Sequence, residues 1–227
     1  MPTSGSFAAI ILAAGSSSRM GAGRHKLLLP LGNKPVLAHV IAATLASKAR
    51  PIIIVLGHQA EQVRTQIATF LTFPEVFSIE NPDYLLGMST SLRTGIQALI
   101  QSESIQRQAF HSIDGAIIML GDQPLMTRQI IDALITSKQT TGKRIIVPLY
   151  NGRRGNPVLF DSRLFPELME ISGDEGARSI IKRHSQEVAT IELHDAMANY
   201  DVDTWEAYQA VVAEWAKQQG QREHEQR

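Results

Sequence analysis

The sequence has no cysteine. Disulfides, cysteine-ligated zinc, iron–sulfur clusters and thiol catalysis are therefore excluded. It has no excess of either charge: 22 Lys and Arg balance 22 Asp and Glu, for a formal net charge of +0. A global basic field that would draw nucleic acid is missing, and no nucleic-acid partner is expected. Long apolar runs are missing too. The opening MPTSGSF carries no basic residue, and the apolar stretch behind it is too short for a membrane span or a cleavable leader. The sequence thus predicts a cytoplasmic protein with no membrane partner. The seven histidines show no HxxxH or similar ligand spacing, and they read as core or surface residues rather than zinc ligands. Ser16, Ser17 and Ser18 lack the His and Asp partners of a hydrolase nucleophile. No internal repeat or low-complexity block occurs.

What is present is an ordinary globular composition: 227 residues, 44% hydrophobic and 19% charged. That suffices for one large domain with a substantial core. The reading is a single domain over residues 1–217 and a polar, flexible tail over 218–227. Short apolar runs alternate with longer amphipathic ones, the pattern of an α/β protein whose mostly parallel sheet is flanked by helices. Strands are predicted at 8–12, 52–56, 76–79, 116–120, 144–148 and 188–193. A further strand, 158–160, returns as a hairpin partner across Asn151-Gly152. Helices are predicted from Pro35 to about 45, over 60–71, from Ser89 or Thr90 to about 100, and over 127–138, 166–171 and 175–183. A last helix is capped by Asp203 or Thr204, with Trp205, Tyr208, Val212 and Trp215 on one face. Residues 102–113 read as a polar surface excursion.

The most informative stretch is 8–26, AAIILAAGSSSRMGAGRHK. An apolar strand stops at a small-residue loop that carries Arg19 and Lys26. Small residues let backbone N–H groups approach a polyphosphate, and the cations balance its charge. Two familiar phosphate loops do not fit. Gly21 is followed by Ala22 rather than the Lys-Ser/Thr of a P-loop, and Gly15, Gly21 and Gly23 lack G-x-G-x-x-G spacing. Leu12, Ala13, Ala14, Gly15, Ser16, Arg19 and Lys26 instead resemble the L-A-[AG]-G-x-[SG]-x-R-[ML]-G-x-x-K signature of nucleotidyltransferases.

Ligands of open α/β sheets bind beyond the carboxyl ends of the strands. The strand at 116–120 ends at Gly121-Asp122-Gln123-Pro124. If it neighbours the first strand, Asp122 faces the phosphate loop, where a carboxylate can hold Mg²⁺ together with phosphate oxygens and water. Asp203, in Asp201-Val202-Asp203-Thr204, reads as a second metal carboxylate. Asp201 reads as solvated. Arg153-Arg154-Gly155-Asn156-Pro157, Gly173 to Arg178 and Gly87 to Arg93 are polar where a bland loop need not be, though capping and turn chemistry alone would also account for them.

Taken in order, LAAGSSSRMG with Lys26, NPDYLLGMSTSLRTG (81–95), GDQP (121–124), RRGNPVLF (153–160), GDEGAR (173–178) and DVDT (201–204) resemble the molybdopterin nucleotidyltransferase family, in its cytidylyl-transferring branch. The resemblance covers nearly the whole chain. It implies a Rossmann-like three-layer α/β/α fold with a mostly parallel mixed sheet. The implied activity is transfer of CMP from CTP to the terminal phosphate of molybdopterin, with pyrophosphate released and Mg²⁺ as cofactor. Carried onto this sequence, Arg19 and Lys26 contact the triphosphate, and Asp122 and Asp203 hold the metal. Ser89, Ser91, Arg93, Arg154, Asn156, Asp174 and Arg178 fall on the acceptor side. Ala14 stands where guanylyl-transferring relatives tend to carry Gly, so its methyl crowds a larger base and favours CTP over GTP. Other readings are transfer to a different phosphorylated acceptor, such as a sugar phosphate or methylerythritol phosphate, and guanylyl transfer from GTP to the same acceptor. A non-enzymatic carrier or chaperone of molybdenum cofactor is a third. A recipient molybdoenzyme, or its chaperone, is the implied protein partner.

Overall fold

A computed structural model describes residues 5–21, 23–108, 112–173, 176–193 and 196–225. In chain order, β1 (Ser6–Ala13) leads through a loop to a small hairpin of β2 (Pro30–Leu31) and β3 (Lys34–Pro35), then α1 (Val36–Ala46) and β4 (Ile52–Leu56). Next come α2 (Ala60–Gln66), β5 (Val76–Glu80), α3 (Met88–Gln101), α4 (Glu103–Gln108), β6 (Ile113–Leu120) and α5 (Arg128–Thr141). The chain ends with β7 (Ile145–Tyr150), β8 (Arg153–Arg154), β9 (Val158–Asp161), α6 (Phe165–Glu170), α7 (Arg178–Arg183), β10 (Val188–Leu193) and α8 (Trp205–Glu225).

The main sheet has the order β10-β7-β9-β6-β1-β4-β5, with β8 paired to β7. All pairs are parallel except those of β9 with β6 and β7, and of β8 with β7. A strand covered on both faces must be apolar at every position, and the Ile52–Leu56 run IIIVL is. Ile52, Ile54 and Leu56 pack into one layer with Leu37 and Ile41 of α1, Val63 of α2 and Leu134 of α5. Ile53 and Val55 face the opposite way, against Leu92, Ile96 and Leu99 of α3, in the layer that also holds Leu168 of α6 and Ile180 of α7. The result is the expected three-layer α/β/α fold. A third, smaller core joins Met20, Leu31 and Leu125 to Val202, Tyr208 and Val211 beneath α8.

Several local expectations need correction. Asn151 and Gly152 do turn the chain, both with positive φ, and β9 does return antiparallel to β7 as expected, but the two-residue β8 takes the pairing next to the turn. The fully buried β9 inserts between β6 and β7, since its apolar residues need sheet neighbours on both edges. The helix predicted over 60–71 stops at Gln66, followed by a separate 3-10 turn at Phe70–Thr72. Residues 103–108 form α4, anchored by the fully buried Ile105. The last helix continues past residue 218 to Glu225, and Val211 rather than Val212 is its fully buried valine. Among the described residues no helix is long and apolar enough to cross a membrane.

Candidate active site

β1 and β6 are parallel neighbours, with Leu12 opposite Leu120. Their carboxyl ends therefore bring the small-residue loop beside Asp122. The Gly121 N–H donates to the Leu12 carbonyl at 2.9 Å, and the Val202 N–H donates to the Asp122 carbonyl at 2.9 Å. The second bond pins the 201–203 segment over the end of β6, although the two are far apart in sequence. Lys26 Nζ then donates to Asp122 Oδ2 in a short hydrogen bond and to Asp203 Oδ1 at 2.7 Å. Arg19 Nη2 lies 3.0 Å from Asp203 Oδ2. Ser17, in left-handed backbone at φ 57, turns its hydroxyl to accept from the Lys26 N–H at 3.1 Å and so fixes where Lys26 starts. Burial disfavours the charge on Lys26, but Asp122 and Asp203 outweigh it, and the pKa is raised.

Two cavities open around this cluster. The first, about 330 Å³, is lined by Leu12, Ala13, Ala14, Gly15, Ser16, Arg19, Lys26, Tyr84, Leu85, Ser91, Asp122 and Asp203. The second, about 510 Å³, has an apolar floor of Leu92, Ile118, Val147, Val158 and Phe160, and polar groups from Gln123, Arg154, Asn156, Arg178 and Asn199. Leu12, Met88, Leu120 and Asp201 line both. Asp201 is thus no solvated bystander. It sits at the junction, where Gln123 Nε2 donates to its Oδ1 at 2.6 Å. Burial raises its pKa, the negative charge of Asp122 adds to the effect, and the Gln123 hydrogen bond opposes it.

The loop residues predicted to hold nucleotide all line the first cavity, and Arg154, Asn156 and Arg178 line the second. Ser91, expected on the acceptor side, lines the first cavity instead. Ser89 and Arg93 line neither. The Ser89 N–H donates to the Gly173 carbonyl, and Arg93 sits half-buried on α3. Asp174 lies outside the described residues. Neither Ser89 nor Thr90 caps α3. Gly87 precedes it, and the Thr90 hydroxyl donates to the Gly87 carbonyl at 2.8 Å while accepting from Asn81 Nδ2. At α8, Thr204 Oγ1 accepts from the Ala207 N–H at 3.2 Å, so the capping role falls to Thr204 and Asp203 faces the cations.

Sequence reasoning missed the support behind Lys26. His25 is buried, stacks on His58 with ring centres 5.6 Å apart, and donates Nε2–H to the His58 carbonyl at 3.1 Å. Burial lowers its pKa, which favours a neutral ring beside the ammonium. The sequence offers no signal for this, because the two histidines meet only when the end of β4 lies beside the loop.

The donor set fits a hard divalent cation. Asp122 and Asp203 supply carboxylate oxygens within reach of one ammonium, in a cavity whose other cations suit phosphate. Among the described residues no group of three or more His, Cys, Asp and Glu side chains converges to hold an ion alone. A metal here would complete its shell with phosphate oxygens and water, as Mg²⁺ does.

Comparison with known proteins agrees with this geometry. Residues 9–188 match the model of the MobA-like NTP transferase domain. The chain is 28% identical over 207 residues to nicotine blue oxidoreductase of Paenarthrobacter nicotinovorans, covering 87% of this chain and 92% of that protein. It is 28% identical over 206 residues to the purine catabolism protein PucB of Bacillus subtilis, covering 89% and 94%. A stretch of 141 residues is 32% identical to bifunctional protein GlmU of Syntrophotalea carbinolica, covering 62% of this chain but only 27% of GlmU. Among solved structures, the Rv0371c homologue from Mycobacterium sp. strain JC1 superposes with a TM-score of 0.76 at 28% identity, covering 93% of this chain and 97% of that one. Rv0371c of Mycobacterium tuberculosis in complex with manganese superposes at 0.70 and 26% identity, covering 92% and 98%. The chain belongs to the MobA-like NTP transferase domain family, and it is a nucleotidyltransferase.

Proposed function

We propose that this protein transfers CMP from CTP to the phosphate of molybdopterin and releases pyrophosphate. The observation that carries the reading is the junction of the two cavities at Leu12, Met88, Leu120 and Asp201, beside Lys26 and Asp122. A donor triphosphate on the small-residue loop and an acceptor phosphate in the second cavity can meet there. The apolar floor suits a flat heterocycle, and Arg154 and Arg178 suit its phosphate. The Ala14 methyl favours the smaller pyrimidine base.

In the reaction, an oxygen of the acceptor phosphate bonds to the α-phosphorus of CTP. The bond to the bridging oxygen of the β-phosphate breaks in line, and pyrophosphate leaves with the electron pair. No covalent enzyme intermediate is required. Lys26 and Arg19 hold the charge of the triphosphate, and the backbone of residues 13–16 lets it approach closely. Mg²⁺, held by Asp122 and Asp203, would supply further charge neutralisation at the phosphate oxygens. Asp201 and Gln123 shape the junction between donor and acceptor.

The similarity to GlmU supports a second reading, transfer to another phosphorylated acceptor such as a sugar phosphate. The test is pyrophosphate release from CTP, GTP, ATP and UTP, each offered with molybdopterin or with a sugar 1-phosphate. The proposal requires the fastest release from CTP with molybdopterin. Faster release with GTP would move the donor to guanylyl, and release only with a sugar phosphate would overturn the acceptor.

A further inference from the structure

Among the described residues, the loop that carries Lys26 is tied to the segment around Asp203 and α8 by Met20, which shares a core with Val202 and Tyr208, and by three cationic contacts, one of which stays out of the nucleotide cavity. Arg19 and Lys26 reach Asp203 at 3.0 and 2.7 Å, and all three side chains line the cavity. The third contact is a cation–π pair, with the Arg24 guanidinium carbon 4.5 Å from the Trp205 ring centre. Neither Arg24 nor Trp205 lines the cavity. Trp205 leans on Tyr208, ring centres 5.1 Å apart, and the Tyr208 hydroxyl donates to the Pro30 carbonyl in a short hydrogen bond. On the loop side, Arg24 Nη1 also reaches the Met20 carbonyl at 3.5 Å. That contact spans Gly21 and Gly23, whose φ angles of 82 and 76 leave the loop to residues with little stiffness of their own.

We propose that Arg24 and Trp205 form a positioning clamp that holds the glycine-rich loop against α8 and sets Lys26 and Arg19 for the donor triphosphate. The inference rests on the nucleotide-transfer reading. Incoming phosphates compete with Asp203 for Arg19 and Lys26. As those cations turn to the ligand, two of the three cationic ties loosen. The Arg24–Trp205 tie faces no ligand group and, together with buried Met20, keeps the loop in place. Trp205 lies two positions after Asp203, so the same contact also fixes the carboxylate relative to the loop. The clamp's aromatic half lies in α8, beyond residues 9–188 that match the family model.

The test is steady-state kinetics of Arg24→Ala, Arg24→Lys, Trp205→Leu and Trp205→Phe, with thermal unfolding of each to check the fold. An exposed cation–π pair is worth a factor of about two to five in an equilibrium constant. Arg24→Ala and Trp205→Leu should raise the nucleotide KM by about that factor, because the nucleotide must then reorder the loop, with kcat unchanged once the bound nucleotide has set Lys26 in place, and Arg24→Lys and Trp205→Phe should restore most of it. In a Trp215→Phe background Trp205 is the sole tryptophan, since the chain has two. There its acrylamide quenching should rise when Arg24 becomes Ala. An unchanged KM in Arg24→Ala and Trp205→Leu refutes the clamp, as does a Trp205→Phe variant as impaired as Trp205→Leu. If the wild-type protein saturates with none of the four nucleotides, the nucleotide reading fails and the clamp with it. Wild-type saturation with unaltered variants refutes the clamp alone.

Discussion

Replacing Lys26 by Met tests the centre of the site while nearly conserving its volume. The ammonium makes two charge-assisted hydrogen bonds, to Asp122 and Asp203, from a side chain only 14% exposed. In catalysis, losing one preorganised charge contact costs about 2.7–4 kcal/mol of transition-state stabilisation, or roughly 10²- to 10³-fold in kcat. The stability cost is smaller. A charge-assisted hydrogen bond contributes about 1.5–3 kcal/mol, but the Asp203 side chain is 26% exposed and water re-solvates it. The net loss should be about 1–2 kcal/mol, well within what a folded domain tolerates. Pyrophosphate release under saturating substrates gives kcat, and urea unfolding gives the stability. A Lys26→Met enzyme whose kcat stays within threefold of wild type while KM rises would show that Lys26 binds donor and transition state equally, and the assigned role would be wrong.

Three further outcomes follow from the same structure. Asp122→Asn should lose at least ~10³-fold in turnover with Mg²⁺ while its circular dichroism stays native; near wild-type turnover would remove Asp122 as a metal carboxylate. The buried Lys138–Asp161 pair, 2.6 Å apart and completed by Arg163, predicts that Lys138→Met costs about 2–3 kcal/mol in chemical denaturation, less than a fully orphaned charge because Arg163 remains. Burial opposes the charge on Asp161, but Arg163 and Lys138 outweigh it and hold its pKa well below the ordinary carboxylate range. Its contribution is therefore present above the unfolded pKa of ~4 and lost as pH falls through the lowered native value, so the stability gap between wild type and Lys138→Met should narrow steadily as the pH drops below ~4. Gly95→Ala would place a Cβ 2.5 Å from Ile10 Cγ2 in the α3–β1 contact. The overpacking cost of about 1–3 kcal/mol should exceed the gain of about 1 kcal/mol in helix propensity, and a raised melting temperature would contradict that.

The sheet was legible because its strands are buried on both faces, which forces continuous apolar runs such as 52–56 and 116–120. The loop signature and Asp122 were legible because they stand at strand ends, where the chain must turn and ligands bind. Strand order was not. That β9, besides returning antiparallel to β7, also pairs with β6 and so sits inside the sheet depends on pairing edges that no local pattern records. α4 was hidden because a single buried Ile105 stands in a polar stretch, below any periodic signal. Lys138 does carry a signal: it continues the apolar face of Ile131, Leu134 and Ile135 on α5, where a lysine needs a buried partner. For Asp201, extended alternation says only that it shares a side with Asp203. Its place at the cavity junction is set by Gln123 and by the Val202–Asp122 backbone bond, both long-range.

The most direct test of the central claim follows the α-phosphate. CTP labelled with phosphorus-32 at the α-position is incubated with the protein, Mg²⁺ and molybdopterin, and the products are separated. Cytidylyl transfer predicts that the label moves into the pterin fraction in step with unlabelled pyrophosphate, and that α-labelled GTP gives at least ~10-fold less, about the discrimination a crowding methyl supplies. Label that stays in CTP, or that reaches the pterin faster from GTP, would contradict the account.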